Sequence, residues 1–345
     1  MPTDSLQLSV TGYSKRTLKA ADLSDTTCLV PTEKPLSELL VKPLKLHNFI
    51  RQTTKETLSQ TKQHADSTAT FYYRQTSFCD TTCNEFLEAF LTAQPAVELR
   101  QPTLLTGRYA ALPPDSIHPY AYYRNYYTFS QLQLVDKKRE HDPDETIIPL
   151  TYYYRNYYHV DHSYTFDQQG NSLVVINFTP REKIRRPILA ATLYVDEQTC
   201  HIRKVVGHGV NTFIRTGTWL QESYDDDSRP YFTQIIPTDF QFTITITERR
   251  GFTEIESIHV VTTHDDDNGS SITTSSLLYN VAPDTPSANS GNPLPFYGHL
   301  HKQIEAQGYS PDFWSQNEIV RCTPLEQKVV ALFTTAHLFG QFSTP

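Results

Sequence analysis

Phe240-Gln241-Phe242-Thr243-Ile244-Thr245-Ile246-Thr247 is the stretch on which the reading of the fold turns. Apolar side chains recur at every second residue and polar ones fill the gaps. Successive side chains of an extended strand point to opposite faces, so this segment is a β-strand with one face buried and one face wet. Residues 252–263 and 271–279 follow as further strands, and the Asn268-Gly269 pair between them is a strong hairpin signal. Upstream, residues 173–178, 188–195 and 200–206 are three more strands, separated by short turns carrying Pro, Asp and Glu. Consecutive hairpins of this kind build an antiparallel sheet. The composition agrees, since 21 Tyr and 18 Phe against one Met suit pleated, half-buried surfaces rather than a helix bundle.

Helices are expected at two places. Leu46, Phe49, Ile50 and Leu58 recur at loose helical spacing and predict a polar surface helix over residues 46–63. Near the end, Thr323 and Glu326 form a Thr-x-x-Glu capping box, Pro324 takes the first helical position, and Gly340 lies just past Phe339. Leu325, Val329, Leu332, Phe333 and Ala336 make one apolar stripe for docking on the sheet. Residues 69–75 read as a strand, whereas residues 85–91 fit strand or helix, because a short apolar run does not decide between them. At the start, Leu6, Leu8 and Val10 alternate as a strand, a second short strand is expected near residues 27–30, and Pro43 marks a boundary between units 1–42 and 43–345. Residues 282–295, rich in proline and small residues, read as a loop. The expected architecture is α+β and β-dominated: a curved antiparallel sheet with helices against one face, preceded by remnant β-sandwich strands. The helix-then-meander order is like the half-barrel of lipoprotein carriers, an analogy of fold that assigns no activity.

Composition sets several function classes aside. The 345 residues are 38% hydrophobic and 20% charged, with a mean hydropathy of -0.47, as in a water-soluble globular body. The net charge of -8 has the wrong sign for neutralising phosphates, so nucleic acid is not an expected partner. The run Val329-Val330-Ala331-Leu332-Phe333 is far below the roughly 20 apolar residues of a membrane-spanning helix. Met1-Pro2-Thr3-Asp4 offers neither a basic nor an apolar leader region, so either the protein is cytoplasmic or its leader lies outside this chain.

The sequence carries no His-Glu-x-x-His, no Gly-x-Ser-x-Gly, no phosphate-binding glycine loop and no dinucleotide fingerprint. No catalytic residue, cofactor or metal site is therefore assigned. His159, Asp161 and His162, and the pair His299 and His301, would ligate a metal only with further converging groups, and surface histidines are the ordinary reading. The runs at residues 225–227 and 265–267 read as solvated acidic turns. Cys79 and Cys83 are either the ends of a tight disulfide-closed turn or two ordinary buried thiols. The hexapeptide Tyr-Tyr-Arg-Asn-Tyr-Tyr occurs twice, at residues 122–127 and 153–158. Tyrosine joins an apolar body to a polar tip and suits cavity mouths, ligand platforms and interfaces. Tyr122, Tyr123, Tyr126, Tyr127, Tyr153, Tyr154, Tyr157 and Tyr158 are thus the candidate ligand-binding set. The alternative is a pair of related strands packing their rings into a core. If both copies are strands, Tyr123, Asn125 and Tyr127 share one face and Tyr122, Arg124 and Tyr126 the other. In the second copy Tyr154, Asn156 and Tyr158 would oppose Tyr153, Arg155 and Tyr157.

Two resemblances give these elements a setting. The opening, from Asp4 through Gly12-Tyr13 to Leu29-Val30-Pro31 and Leu36-Ser37-Glu38-Leu39-Leu40-Val41, resembles the final strands of the carboxypeptidase regulatory-like domain, a non-catalytic β-sandwich. On this reading the chain begins within that domain. Phe71-Tyr72-Tyr73-Arg74-Gln75, Glu88-Ala89-Phe90 and Gly107-Arg108 are similar to landmarks of an uncharacterised β-rich domain that follows it in Gram-negative envelope proteins. Later landmarks recur in order at residues 174–183, at residues 191–196 with Ile202-Arg203-Lys204, at residues 309–314 and at Pro324-Leu325-Glu326. The resemblance implies a periplasmic or outer-membrane-associated, non-enzymatic binding module. Its partner would be an apolar ligand such as a lipid on the concave face of the sheet, or, alternatively, another protein of an outer-membrane assembly.

Overall fold

The computed structural model describes residues 5–8, 16–19, 27–30, 44–63, 67–97, 99–112, 132, 134–135, 146–210, 239–249, 251–265, 271–281, 292–294, 300–316 and 322–340. Two short strands, β1 (Ser5–Leu8) and β2 (Arg16–Lys19), pair antiparallel as a sheet of their own. Residues 27–30, expected as the second strand, have no regular structure. The nearer Arg-Thr-Leu-Lys segment takes the pairing, and the shorter loop costs less to close.

After α1 (Leu46–Gln63) come β3 (Ala69–Cys79), β4 (Thr82–Pro95) and β5 (Leu99–Ala111). A single helical turn, α2 (Tyr154–Tyr157), leads into β6 (Tyr158–Phe166), β7 (Ser172–Pro180), β8 (Ile188–Asp196) and β9 (Ile202–Val210). Then follow β10 (Asp239–Arg249), β11 (Phe252–Asp265), β12 (Ser271–Val281) and the two-residue β13 (Asn292–Pro293). Among the described residues three helices follow: α3 (Leu300–Gln307), α4 (Pro311–Gln316) and α5 (Pro324–Thr335). The eleven strands β3 to β13 form one sheet in the order β13-β5-β4-β3-β12-β11-β10-β9-β8-β7-β6, antiparallel throughout. A twisted sheet of this width curls rather than lying flat. Register breaks at Ser77/Phe78, Phe90/Leu91, Tyr194/Val195 and Thr245/Ile246 add bends of the β-bulge type. Among the described residues the outer strands β13 and β6 are not paired with each other, so the sheet they form is open.

The β10 alternation emerges as expected, with Phe240, Phe242, Ile244 and Ile246 buried. β11 and β12 pair from Ser257↔Tyr279 to Asp265↔Ser271, while the Asn-Gly turn itself lies outside the described residues. Residues 85–91 belong to β4 and are buried along their whole length, on both faces of the sheet. Phe71, Tyr73, Leu87, Ala89 and Leu91 face one way, into the main core, together with Ile244, Ile258, Leu278 and the helix residues Phe49, Ile50 and Ile304. Tyr72, Phe86 and Phe90 face the other way, against Trp314 of α4 and Val329 and Phe333 of α5. Helices therefore cover both faces, and the expectation of one covered face is corrected. On the inner face, α3 comes so close to β5 that a Cβ on Gly107 would fall 2.4 Å from an Ile304 side-chain carbon. Only glycine fits there.

Between β3, β4 and β5 on the outer face lies a buried ion network. Glu88 Oε1 accepts from Arg74 Nε at 2.9 Å and from Tyr72 Oη, and Glu88 Oε2 accepts from Arg108 Nε at 2.6 Å. Arg74 also reaches Glu326 of α5 at 3.2 Å. Burial works against the Arg74 charge, but Tyr72, Glu88 and Glu326 outweigh it and hold the guanidinium charged beyond its ordinary range. Arg108 lies over the rings of Phe86, Trp314 and Phe339 at 5.7, 5.0 and 5.0 Å, a cation–π arrangement. Tyr72, Arg74, Glu88, Phe90, Arg108, Trp314 and Glu326, separate landmarks in the sequence, all meet here.

The capping box of α5 is present: the Thr323 hydroxyl accepts from the Glu326 N–H at 3.2 Å, and the Glu326 carboxylate accepts from the Thr323 N–H at 2.7 Å. The helix stops at Thr335 rather than near Phe339. His337 adopts φ 53° and the Leu338 N–H donates back to the Phe333 carbonyl at 2.9 Å, so a Schellman-type turn closes it with histidine in the position usually held by glycine. Only Val329 and Phe333 of the expected stripe are buried, while Leu325 and Leu332 stay 55% and 54% exposed.

Cys79 and Cys83 are thiols, with no disulfide between them. Register pairs Cys83 with Phe78, the residue before Cys79, so the two sulfurs leave the hairpin on opposite faces. Burial, followed by the charges of Glu85 and Glu326, pushes the Cys83 thiol up to about 12, against the pull of its hydrogen bond to the Glu85 carbonyl.

Two outcomes are expected. Glu88→Gln, which strands two arginines without their shared anion, should cost about 3–5 kcal/mol in urea unfolding, against about 1 kcal/mol for Glu326→Gln at the helix cap. Thiol labelling without reductant should find all five cysteines in denatured protein, but in native protein only exposed Cys28 should react fast and Cys83 should stay silent.

Candidate functional site

Helix α1 has two working faces. Its inner face buries Phe49 and Ile50 beside a run of Thr53, Thr57, Gln60 and Thr61. The hydroxyls of Thr57 and Thr61 each donate to the carbonyl one turn earlier, both at 2.8 Å, which satisfies them without outside partners. Gln60 docks the end of the helix by accepting from the Thr253 N–H of β11 at 3.2 Å. The second face runs His47, Arg51, Thr54, Lys55, Leu58, Ser59, Lys62. Three- and four-residue steps keep these on one stripe.

That stripe forms one wall of a cleft of about 830 Å³, whose other wall is Thr151, Tyr152 and Tyr154. The volume lies within the roughly 300–1,000 Å³ of small-ligand sites. Ile50, Leu58 and Tyr154 give it an apolar floor. The opposing wall begins as a turn in which the Thr151 hydroxyl accepts from the Tyr153 N–H at 3.2 Å. This turn starts α2, so the second hexapeptide is a helical turn feeding β6 and not a strand. The strand expectation for Tyr153 to Tyr158 is corrected accordingly. Helical spacing turns Tyr154, Tyr157 and Tyr158 inward together, where alternation would have split them. Tyr154 and Tyr158 both meet the Phe178 ring edge-on, at 5.9 and 5.5 Å. The Tyr158 hydroxyl shares its one proton between the carbonyls of Ile147 and Leu189, at 3.1 and 3.0 Å. Tyr153 is 38% exposed and Tyr152, one residue before the repeat, is 71% exposed. Their rings pack edge to face at 4.8 Å beside the cleft.

The cleft is electropositive. Arg51, Lys55 and Lys62 line it, and among the described residues no carboxylate does. The single carboxylate of α1, Glu56, turns away to His201 of the β8–β9 turn at 3.5 Å. His47 Nδ1 lies 3.0 Å from the Tyr154 hydroxyl across the cleft. Partial burial first, then the charges of Arg155 and Arg51, hold the His47 imidazole below its ordinary value.

Of the expected site residues, Tyr154 alone lines the cleft, Tyr153 stands beside it, and Tyr157 and Tyr158 serve the core. Tyr122, Tyr123, Tyr126 and Tyr127 lie outside the described residues, as do His299 and residues 225–227. His159 and His162 are exposed on β6, three residues apart and hence on opposite faces, and His301 is in α3. Among the described residues no group of three or more His, Cys, Asp or Glu gathers as metal ligands. No helix among them is long and apolar enough to cross a membrane. The α1 stripe is invisible to apolar periodicity, and its signal in the sequence is Arg51, Lys55 and Lys62 at four- and seven-residue steps.

No protein-family model matches the chain, and no curated protein matches it. Among solved structures, the chain is similar to the crystal structure of a DUF1329 family protein from Desulfovibrio piger ATCC 29098, at 10% identity and a TM-score of 0.21, over 69% of this chain and 95% of that one.

His47 provides a reporter for the cleft. Its imidazole should titrate below 6.5 by NMR, and Arg51→Gln should move it upward. Because the unfolded chain then binds the extra proton first, the His47 contribution to stability should fall as pH drops through about 6.5. An imidazole that ignores Arg51→Gln would show that the cleft field does not reach it.

Proposed function

We propose that this chain is a non-enzymatic binding module of the bacterial cell envelope that holds the acyl chain of a lipid in the cleft beside α1. One observation carries the reading: an open cleft of ligand size with an apolar floor of Ile50, Leu58 and Tyr154, closed on one side by a helix seated in the hollow of an open sheet. A chain of methylenes gains roughly 0.8 kcal/mol for each group it buries, so a floor of this kind supplies affinity without catalysis. The envelope setting, periplasmic or outer-membrane-associated, rests on the resemblance of the landmarks to the β-rich domain of Gram-negative envelope proteins. No catalytic role is assigned to the residues of the cleft.

A neutral amphiphile tests this directly. Palmitoyl monoacylglycerol should bind in a saturable, equimolar way by calorimetry, and lipid extracted from natively purified protein should be detectable by mass spectrometry. Leu58→Gln should weaken that binding about tenfold, the equivalent of roughly 1.4 kcal/mol of lost apolar contact, with little change in melting temperature. Absence of saturable binding to the wild-type protein, with no co-purified lipid, would end this reading.

A further inference from the structure

We infer that the cleft selects lipids by an anionic, phosphate-type headgroup, for which Arg51, Lys55 and Lys62 are the counter-charges. The inference rests on the acyl-chain reading and adds the chemistry of the head. Three cations share a helix stripe with Leu58, so a ligand lying along α1 meets charge and apolar floor side by side. Like charges at four-residue spacing, such as Arg51 and Lys55, destabilise a helix, and nothing in the packing of α1 demands them. Among the described residues none of the three has an ion-pair partner, since Glu56 is engaged with His201. A chain whose formal net charge is -8 thus places three cations, unpaired among the described residues, on a ligand-sized cleft. The field is felt locally, because Arg51 and Arg155 both disfavour a proton on His47. Three cations exceed what one carboxylate would balance, and Arg51 can hold two oxygens of a phosphate at once.

The test compares four probes on the wild-type chain: palmitoyl lysophosphatidic acid, palmitoyl monoacylglycerol, palmitate and inorganic phosphate alone. Lysophosphatidic acid should bind at least about tenfold tighter than monoacylglycerol, and the gap should narrow at high salt. In the triple variant Arg51→Gln, Lys55→Gln, Lys62→Gln the gap between the two lipids should close to within about threefold. An unchanged far-UV circular dichroism spectrum and a cooperative melting transition show that the variant is folded, and a gap that persists in a folded variant would overturn the assignment of these cations. Equal wild-type affinity for lysophosphatidic acid and monoacylglycerol would overturn headgroup selection and leave the acyl reading intact. Palmitate binding as tightly as lysophosphatidic acid would overturn the preference for phosphate. Inorganic phosphate alone binding that tightly would make this an anion site rather than a lipid site. A wild type that binds neither lipid removes the acyl reading and this inference together.

Discussion

The contact between Glu88 and its two arginines is the constraint around which the rest of this fold is arranged. Three adjacent strands each commit a charged residue to the same face at the same level, Arg74 on β3, Glu88 on β4 and Arg108 on β5. Slipping β3 against β4 by one residue would send one charge to the inner core and leave the other alone, so the network makes the register costly to change. Two cations on one carboxylate leave an excess charge, and Glu326 of α5 neutralises it. Helix α5 is thus held by more than apolar packing. Its cap residue is at once a capping group and the second anion of the network, which ties the last helix to the centre of the sheet. Buried ion groups of this kind specify arrangement more than they add stability.

The site has a different foundation. α1 is fastened to the other half of the sheet, through Gln60 to β11 and through Glu56 to His201 beside β9. Its cleft wall is the turn ahead of β6, which is clamped by Tyr158 to Ile147 and Leu189. The ion network and the cleft therefore sit on opposite faces and draw on different strands.

How much of this was legible depended on whether one face or two were buried. β10 could be read from its own residues, because a wet face beside a dry one leaves an alternating record. β4 could not, since helices cover both its faces and the record becomes a continuous buried run. The start of α5 was legible from Thr323, Pro324 and Glu326, whereas its end was not, because His337 stands in a left-handed position with no glycine to announce it. The order of the landmarks around Arg74, Glu88, Arg108 and Glu326 was visible, but their meeting in space was not. In the candidate site Tyr154 was named, for the wrong local structure. The cations of α1 carry no such record, because polar periodicity on a helix ordinarily marks a solvated face.

The pairing of β12 with β3 also sets a clock. Residues joined across that seam are about two hundred positions apart in the chain, and Arg74 and Glu326 are 252 apart. At ordinary synthesis rates of about 5–20 residues per second, the first arginine waits roughly ten to fifty seconds for the helix that neutralises its network. β3 presents an open edge until β12 emerges, and a charged outer face until α5 follows. The hairpins of the meander can form locally as they emerge, but the sheet becomes a single body only when its far end arrives. The nascent chain is therefore most exposed to mispairing along the edge of β3, and assistance during biogenesis would be needed there first.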